Sequence, residues 1–106
     1  MTGGNRRRGK GQKMARKERV NSFAVYVKGE GKRAARYTGE TFSDPQAAIR
    51  AAAAHKDRSN AIMVKQMWRT SKSTGADKVF EIDSNNEIWF DSTFTAEFKA
   101  GKYKNN

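Results

Sequence analysis

The pattern of apolar and polar positions starts only after the first twenty residues. From Phe23 to Val27, apolar residues alternate with others at a period of two, which is typical of a half-buried β-strand. Residues 29–31, Gly-Glu-Gly, have turn chemistry. We therefore expect a second strand from about Arg33 to Thr38, paired with the first as a hairpin.

The stretch FSDPQA at residues 42–47 predicts the start of a helix. Ser43 can cap the first turn, and Gln46, three residues later, can reach back to complete a capping box. Pro45 suits the first turn, because its missing N–H would have no intrahelical partner there. The helix is predicted to continue to about Arg58 with a mostly alanine surface, so it packs closely but adds little volume.

The second half of the chain predicts three more strands. AIMVKQMWRT (61–70) is the third strand, SKSTGADK (71–78) is a loop, and VFEID (79–83) with EIWFD (87–91) forms a second hairpin. Phe94 and Phe98, four positions apart, predict a short terminal helix, with a last edge strand as the alternative. The order β-β-α-β-β-β predicts an α+β fold, in which a mostly antiparallel sheet has one face covered by the Ala-rich helix.

Alternation also predicts the face of the sheet on which each residue lies. The residues expected to face the helix are Phe23, Val25, Val27, Tyr37, Ile62, Val64, Phe80, Ile82, Ile88 and Phe90. The opposite face would then carry Tyr26, Lys28, Arg36, Lys65, Met67, Arg69 and Trp89. Trp68 is expected to be a core anchor on the helix side. A slip of one residue would invert this assignment.

Cations interleaved with flat rings, as on that opposite face, are typical of surfaces that bind single-stranded nucleic acid. The rings stack on bases while the cations follow the phosphates. The alternative is that the C-terminal segment covers these rings through Phe94 and Phe98, because a small domain has few large apolar side chains to leave uncovered.

Charge is concentrated at the N-terminus. The first twenty residues carry eight Lys and Arg against one Glu, a net +7 of the chain's +11. Glycine and self-repulsion both oppose fixed structure in such a segment. We therefore expect a disordered basic arm at residues 1–20 and a single domain at residues 21–106.

A cationic arm of this kind indicates a polyanionic partner, with a solvated leader as the alternative. Lys and Arg neutralise phosphates and release counterions, which gives affinity without sequence readout. We expect a non-enzymatic nucleic-acid-binding protein, with DNA and RNA both open. The expected arm contacts are Arg6, Arg7, Arg8, Lys10, Lys13, Arg16, Lys17 and Arg19. The expected domain contacts are Lys28, Lys32, Arg33, Arg36, Lys65 and Arg69, with Tyr26 and Trp89 as stacking residues.

Two other functions stay open. A small interaction protein that docks on an acidic surface of a larger enzyme, and modulates it, would depend on a few aromatic and Arg anchors. A metal-dependent nuclease would need carboxylates that hold a divalent cation. The second hairpin offers Glu81, Asp83, Glu87 and Asp91. Solvated charges and cross-strand ion pairs are a simpler explanation of these four residues.

Several further classes are disfavoured by composition. The chain has no Cys and one His, so neither a disulfide nor a transition-metal site is expected, and no cofactor. His55 is expected to be a surface residue at a helix end. No run has the length of a membrane span and the N-terminus lacks the apolar region of a signal peptide, so we expect a cytoplasmic or nucleoid-associated protein without a membrane partner. The small size and basic arm are also compatible with an accessory protein of a bacterial virus.

Overall fold

The computed structural model describes residues 17–103 as one α+β unit of five strands and two helices. The strands are β1 (Glu18–Lys28), β2 (Arg36–Phe42), β3 (Ala61–Arg69), β4 (Thr74–Ile82) and β5 (Ile88–Phe90). The helices are α1 (Pro45–Ala54), followed by a 3-10 turn (Lys56–Arg58), and α2 (Ser92–Lys99). The predicted fold class and element order are confirmed, and the terminal segment is a helix rather than an edge strand.

All five strands form one antiparallel sheet in the order β2-β1-β3-β4-β5. Three of the four pairings join strands that follow each other in the sequence. The exception is the β1–β3 pair, which α1 makes possible by returning the chain from the β2 edge to the centre of the sheet. The long strands β1 and β3 therefore form the middle of the sheet, and the three-residue β5 forms one edge.

The strand β1 begins at Glu18, two residues before the boundary predicted between arm and domain. Glu18 lies opposite Arg69, and Arg19 lies opposite Trp68. Arg69 Nε donates a hydrogen bond to Glu18 Oε1 at 3.1 Å. Because the first residues of this strand are charged, the pattern of hydrophobic alternation does not predict where the strand begins.

The strand β4 begins at Thr74, so most of the predicted loop at residues 71–78 is strand, and that prediction is wrong. The connection from β3 is a tight turn in which the Thr70 amide donates to the Ser73 carbonyl at 2.8 Å. Gly75 lies opposite Trp68, and a Cβ at position 75 would come within 2.4 Å of Trp68 Cζ2. A glycine that resembles a loop signal in the sequence instead leaves room for the indole ring.

The helix α1 is capped by Asp44, whereas the sequence predicted Ser43 as the cap. Asp44 Oδ1 accepts a hydrogen bond from the Gln46 amide at 3.1 Å. Pro45 takes the first helical position, so the cap falls on the residue directly before it. At the other end His55 is the C-cap, and its Nε2 lies 2.7 Å from Glu40 Oε1.

The core lies between the sheet and the two helices. Its buried members are Phe23, Val25, Val27, Ala48, Ala52, Ile62, Val64, Val79, Phe80, Phe94 and Tyr103. Phe94 of α2 packs edge-on against Phe23 with ring centroids 6.0 Å apart, so α2 lies on the same side of the sheet as α1. The alternative, in which the terminal segment covers the other face, is therefore wrong. We call that other face the open face.

The predicted faces are wrong for β2. Tyr37 lies opposite Tyr26 on the open face, whereas Arg36 lies opposite the core residue Val27. The cause is a bulge in β2, where Gly39 has φ 92. Inside it, Thr38 Oγ1 donates to the Val25 carbonyl at 2.9 Å, which replaces a bond of the β-ladder.

Two residues of β5 face the helix side as predicted but are not buried there. Ile88 is 63% exposed and Phe90 is 46% exposed. The sheet extends past the helices at this edge, so α1 and α2 do not cover these two side chains completely.

Candidate nucleic-acid interface

A row of side chains crosses all five strands of the open face. Its members, each the direct partner of the next, are Tyr37, Tyr26, Met63, Glu81 and Trp89. Directly opposed residues of neighbouring antiparallel strands point to the same face of the sheet. Tyr37 is 47% and Trp89 43% exposed, whereas Met63 between them is buried. The row therefore has an exposed ring at each end and an apolar middle.

Two lysines lie against the rings of this row. Lys65 Nζ is 4.4 Å from the ring centroid of Tyr26, and Lys78 Nζ is 5.0 Å from that of Trp89. Both distances are typical of cation–π interactions. Tyr26 also contacts Tyr37, with ring centroids 5.5 Å apart. The open face thus pairs each aromatic group with an ammonium group.

The two lysines lie directly opposite each other on β3 and β4. Like charges in this position destabilise a sheet. Lys78 is partly neutralised, because its Nζ lies 2.6 Å from Glu81 Oε1. Lys65 has no carboxylate within ion-pair distance among residues 17–103. The centre of the open face therefore retains a positive charge that an anion could neutralise.

The structure brings some of the predicted domain residues together on this face. Tyr26, Lys65 and Trp89 lie in its centre, and Lys28 lies at one end, opposite Ala61. The remaining predicted cations lie elsewhere or are already paired.

Arg69 lies at the far end of the open face and pairs with Glu18. Lys32 and Arg33 lie in the exposed connection between β1 and β2, and Arg36 lies on the helix side. These four cations therefore surround the central group without belonging to it.

Sequence analysis missed Tyr37 and Lys78, and both omissions result from bulges. A regular period in β4 would place Val79 on the open face and Lys78 on the helix side. Instead the register shifts in β4 between Phe80, the partner of Val64, and Lys78, the partner of Lys65. This shift buries Val79 completely and turns Lys78 to the open face. The Val79 carbonyl accepts a hydrogen bond from the Asp91 amide at 2.9 Å, and this bond holds the bulge against the start of α2.

The predicted arm lies largely outside the described residues. This applies to Arg6, Arg7, Arg8, Lys10, Lys13 and Arg16. Lys17 is described, and its Nζ lies 3.0 Å from Asp77 Oδ2 and 4.7 Å from the Trp68 ring centroid. The chain therefore enters the sheet beside Trp68.

Arg19 has carboxylate partners on the helix side of the sheet. Its guanidinium lies 3.7 Å from Asp91 Oδ2 and 3.5 Å from Glu97 Oε1. Glu97 also accepts a short hydrogen bond from the Tyr103 hydroxyl. Arg19 thus joins β1 to α2 and the C-terminal end of the described chain.

Buried polar groups tie that C-terminal end to the sheet. Gln66 is buried, and its Nε2 donates to the Val20 carbonyl at 3.2 Å and to Tyr103 Oη at 3.3 Å. Burial, with the Glu97 hydrogen bond as a second cause, raises the pKa of Tyr103 to about 12. The same hydrogen bond from Tyr103 lowers the pKa of Glu97. These groups explain local order rather than ligand binding.

Two acidic residues of the second hairpin, Asp83 and Asp91, have structural roles. Asp83 Oδ1 accepts hydrogen bonds from the Asn85 and Glu87 amides, both at 2.9 Å, and so closes the β4–β5 turn. Asp91 caps α2 by accepting from the Phe94 amide at 2.9 Å. Within residues 17–103, no three or more His, Cys, Asp or Glu side chains form a group that could hold a metal ion.

A groove of about 470 Å³ lies on the other side of the sheet, between the two helices and β5. Ile49, Phe90, Phe94 and Phe98 give it an apolar lining, with Gln46, Arg50, Thr95 and Lys99 as its polar members. Its charged groups are both cations, so it is a second surface suited to a negatively charged partner.

Comparison of the chain with protein-family models, curated proteins and solved structures finds no match. In the described part of the chain, neither helix has the length and apolar character needed to cross a bilayer.

Proposed function

We propose that the protein binds nucleic acid without catalysing a reaction, using the open face together with the basic N-terminal segment. The observation that carries the proposal is the opposed pair Lys65 and Lys78, each against an aromatic ring on a face that neither helix covers. Two ammonium groups beside exposed rings, of which only that of Lys78 has a carboxylate partner, give a surface complementary to phosphates and bases.

The distribution of charge supports the same proposal. Residues 1–16 contain six Lys and Arg and no acid, and they join the sheet at Lys17. A segment of this composition adds phosphate contacts without adding sequence recognition. The open face would then orient the nucleic acid, and the N-terminal segment would supply most of the salt-dependent affinity.

A salt titration tests the proposal. The full chain and a chain lacking residues 2–16 are compared on the same labelled oligonucleotides by fluorescence anisotropy. The deletion stops at residue 16 because Lys17 and Arg19 have partners within the fold. If about five cations of the segment reach duplex phosphates, log affinity falls against log salt with a slope that is steeper by about 4.5 in the full chain.

Two results would contradict parts of this proposal. Equal slopes for the two chains, with circular dichroism showing both folded, would remove the role of the N-terminal segment. A full chain that binds no DNA or RNA oligonucleotide at low ionic strength would overturn the proposed function as a whole.

The groove supports a second candidate function, which is docking on an acidic segment of another protein. Arg50 and Lys99 beside an apolar lining would suit a peptide with carboxylates and one large apolar anchor. The chain's own undescribed ends do not suit the groove. Residues 1–16 would add cations to cations, and residues 104–106, Lys-Asn-Asn, have no apolar side chain.

A comparative capture experiment tests this second candidate. Wild type and Phe98→Glu are used as baits in nuclease-treated lysate, and the bound proteins are compared. Docking in the groove predicts one acidic protein, retained in stoichiometric amount by the wild type alone. Retention that is equal for both baits, or no stoichiometric protein on either, would contradict it.

A further inference from the structure

We infer that the open face receives unpaired bases, so that its preferred ligand is single-stranded DNA or RNA rather than a duplex. This inference rests on the proposed function, since it names the form of nucleic acid that the same face takes. The observation behind it is the row of rings with Tyr37 and Tyr26 at one end and Trp89 at the other.

The rings of this row favour bases that have left a double helix. Stacking on an aromatic side chain needs the flat side of a base, which a base pair inside a duplex presents only to its neighbours. Tyr37 and Trp89 are both nearly half exposed on a face that the helices leave uncovered. A duplex resting on the open face could reach the lysines with its phosphates but would leave the rings unused.

The spacing of the row indicates the path of the strand. Tyr26 on β1 and Trp89 on β5 are three strand spacings apart, which is about 14 Å. That distance is about four times the 3.4 Å rise between stacked bases of one strand. The two ends of the row therefore receive bases separated by intervening nucleotides, and the nucleic acid crosses the sheet perpendicular to its strands.

The arrangement of charge indicates which side of the nucleic acid faces the row. Glu81 lies within the row, where its carboxylate would repel phosphates and accept hydrogen bonds from base amino groups. Lys65 and Lys78 occupy the neighbouring row, displaced by two residues along the strands, about 7 Å. With bases over the first row and phosphates along the second, Glu81 faces base amino groups and the two lysines face phosphates.

The lysines also have a role before the nucleic acid arrives. Lys65 and Lys78 lie over the rings of Tyr26 and Trp89 in the free protein. A lysine has a flexible stem and a compact charge, so it can turn away when a base takes its place. On binding, each ring exchanges an ammonium group for a base, and each ammonium group moves to a phosphate.

The chain's own N-terminal segment is a poor occupant of this face. Residues 1–16 carry six cations, which Lys65 and Lys78 would repel, and no acidic residue to offset them. Nucleic acid has the negative charge that complements the two lysines and the flat bases that can stack on the rings of the face. Charge complementarity therefore favours a single strand over any described or undescribed part of this protein.

The test compares ring variants of the full chain on three probes: a short single-stranded DNA, the RNA of the same sequence, and the blunt DNA duplex. Tyr26→Ala and Trp89→Ala each remove one ring, and Ile88→Ala is the matched control, an exposed apolar side chain next to Trp89 on the helix side. We expect each open-face variant to lose about 5- to 150-fold in affinity for the single strands. Duplex binding should stay within about twofold, and Ile88→Ala should bind every probe like the wild type.

A spectroscopic measurement keeps the inference testable if Tyr26→Ala folds poorly. The chain has two tryptophans, so Trp68→Phe leaves Trp89 as its only indole. Stacking predicts that single strands quench the Trp89 emission, whereas the duplex at the same degree of saturation does not.

The possible failures are distinguishable from each other. Equal losses on single strands and duplex, or no loss and no quenching on either single strand, would overturn the stacking inference while phosphate binding remained. Absence of binding to all three probes by the wild type would overturn the proposed function itself. A loss on DNA or RNA alone supports the inference and identifies the polymer.

Discussion

Lys65 and Lys78 lie directly opposite each other in the middle of the sheet, yet their ammonium groups turn to different rings, those of Tyr26 and Trp89. Neighbouring strands ordinarily place opposite charges or apolar groups in such a pair. An exception to a local rule of this kind is a sign of function. The pair is therefore the point at which substitution should change binding more than stability.

Replacing both lysines should separate these two effects. In Lys65→Gln/Lys78→Gln the repulsion disappears together with the Lys78–Glu81 ion pair, so the free energy of unfolding should change by less than about 1 kcal/mol. Affinity for single strands should fall, and the slope of log affinity against log salt should become shallower by about 1.4, since each lost phosphate contact removes about 0.7. Urea unfolding and a salt titration measure the two quantities.

A control for this prediction removes the same charge from the helix side. Arg50→Gln/Lys99→Gln changes two cations that line the groove on the other side of the sheet. We expect the slope of this variant to stay within error of the wild type. Equal changes in both double variants would mean that only net charge matters and would contradict a localised site.

Arg19 should contribute to folding rather than to binding, although it belongs to the basic N-terminal sequence. Its guanidinium lies between Asp91 and Glu97 and is largely shielded from solvent. Arg19→Gln should lower the free energy of unfolding by about 1 kcal/mol, the upper end for an ion pair near the surface. Its salt slope on oligonucleotides should not change.

Lys17→Gln is the matched comparison for Arg19→Gln. The ion pair of Lys17 with Asp77 is about half exposed on both sides, so its loss should cost less than about 0.5 kcal/mol. A shallower salt slope for Arg19→Gln, without loss of stability, would assign Arg19 to the nucleic acid instead.

The element order was predictable because each element has local signals. The period-two alternation predicted for β1 and β3 is present in the structure. In β3 it places Lys65, Met67 and Arg69 on one face and Trp68 on the other, as predicted. The helix start at Pro45 is indicated by adjacent residues only. The helix α2 is likewise indicated by a local feature, two phenylalanines four positions apart.

The open face was only partly predictable, because strand faces also depend on bulges. Gly39 gave a hint, since an isolated glycine inside a strand pattern suggests a bulge. Val79 gave none, because its buried position follows from partners on β3 and from the Asp91 amide, which are not its sequence neighbours. Tyr26, Lys65 and Trp89 were accordingly found, while Tyr37 and Lys78 were missed.

The contact between Gly75 and Trp68 predicts that the effect of Gly75→Ala on stability changes sign with the residue at position 68. Gly75→Ala places a Cβ within 2.4 Å of the indole ring, so the free energy of unfolding should fall by about 1–3 kcal/mol. Gly75 has no positive φ, so alanine should otherwise stabilise this position by reducing the entropy of the unfolded chain. In a Trp68→Leu background, Gly75→Ala should therefore be neutral or stabilising.

Urea unfolding of the four chains in this double-mutant cycle measures the coupling. We expect an interaction energy of about 1–3 kcal/mol between the two positions. The same cost for Gly75→Ala in both backgrounds would show that the indole ring is not the obstacle.

Tyr103 predicts how stability depends on pH at the alkaline end. Its pKa is raised from 10.0 to about 12, first by burial and then by the hydrogen bond to Glu97. A raised pKa favours the neutral phenol in the folded state, so the contribution is fully present below pH 10 and is lost as the pH rises toward 12. Glu97 has the opposite sign, since its lowered pKa gives stability that is lost as the pH falls below 4.5.

Tyr103→Phe should remove the alkaline dependence and reduce the acidic one, since the hydroxyl is the largest cause of the lowered pKa of Glu97, with Lys102 and Arg19 as further causes. At neutral pH it should cost about 1–3 kcal/mol, because Gln66 loses a buried partner and Glu97 loses its donor. Subtracting the alkaline absorbance titration of Tyr103→Phe from that of the wild type isolates the ionisation of Tyr103, which should have its midpoint near 12. A midpoint near 10 would mean that the hydroxyl is hydrated and that the C-terminal residues are not held against the sheet as Gln66 and Glu97 require.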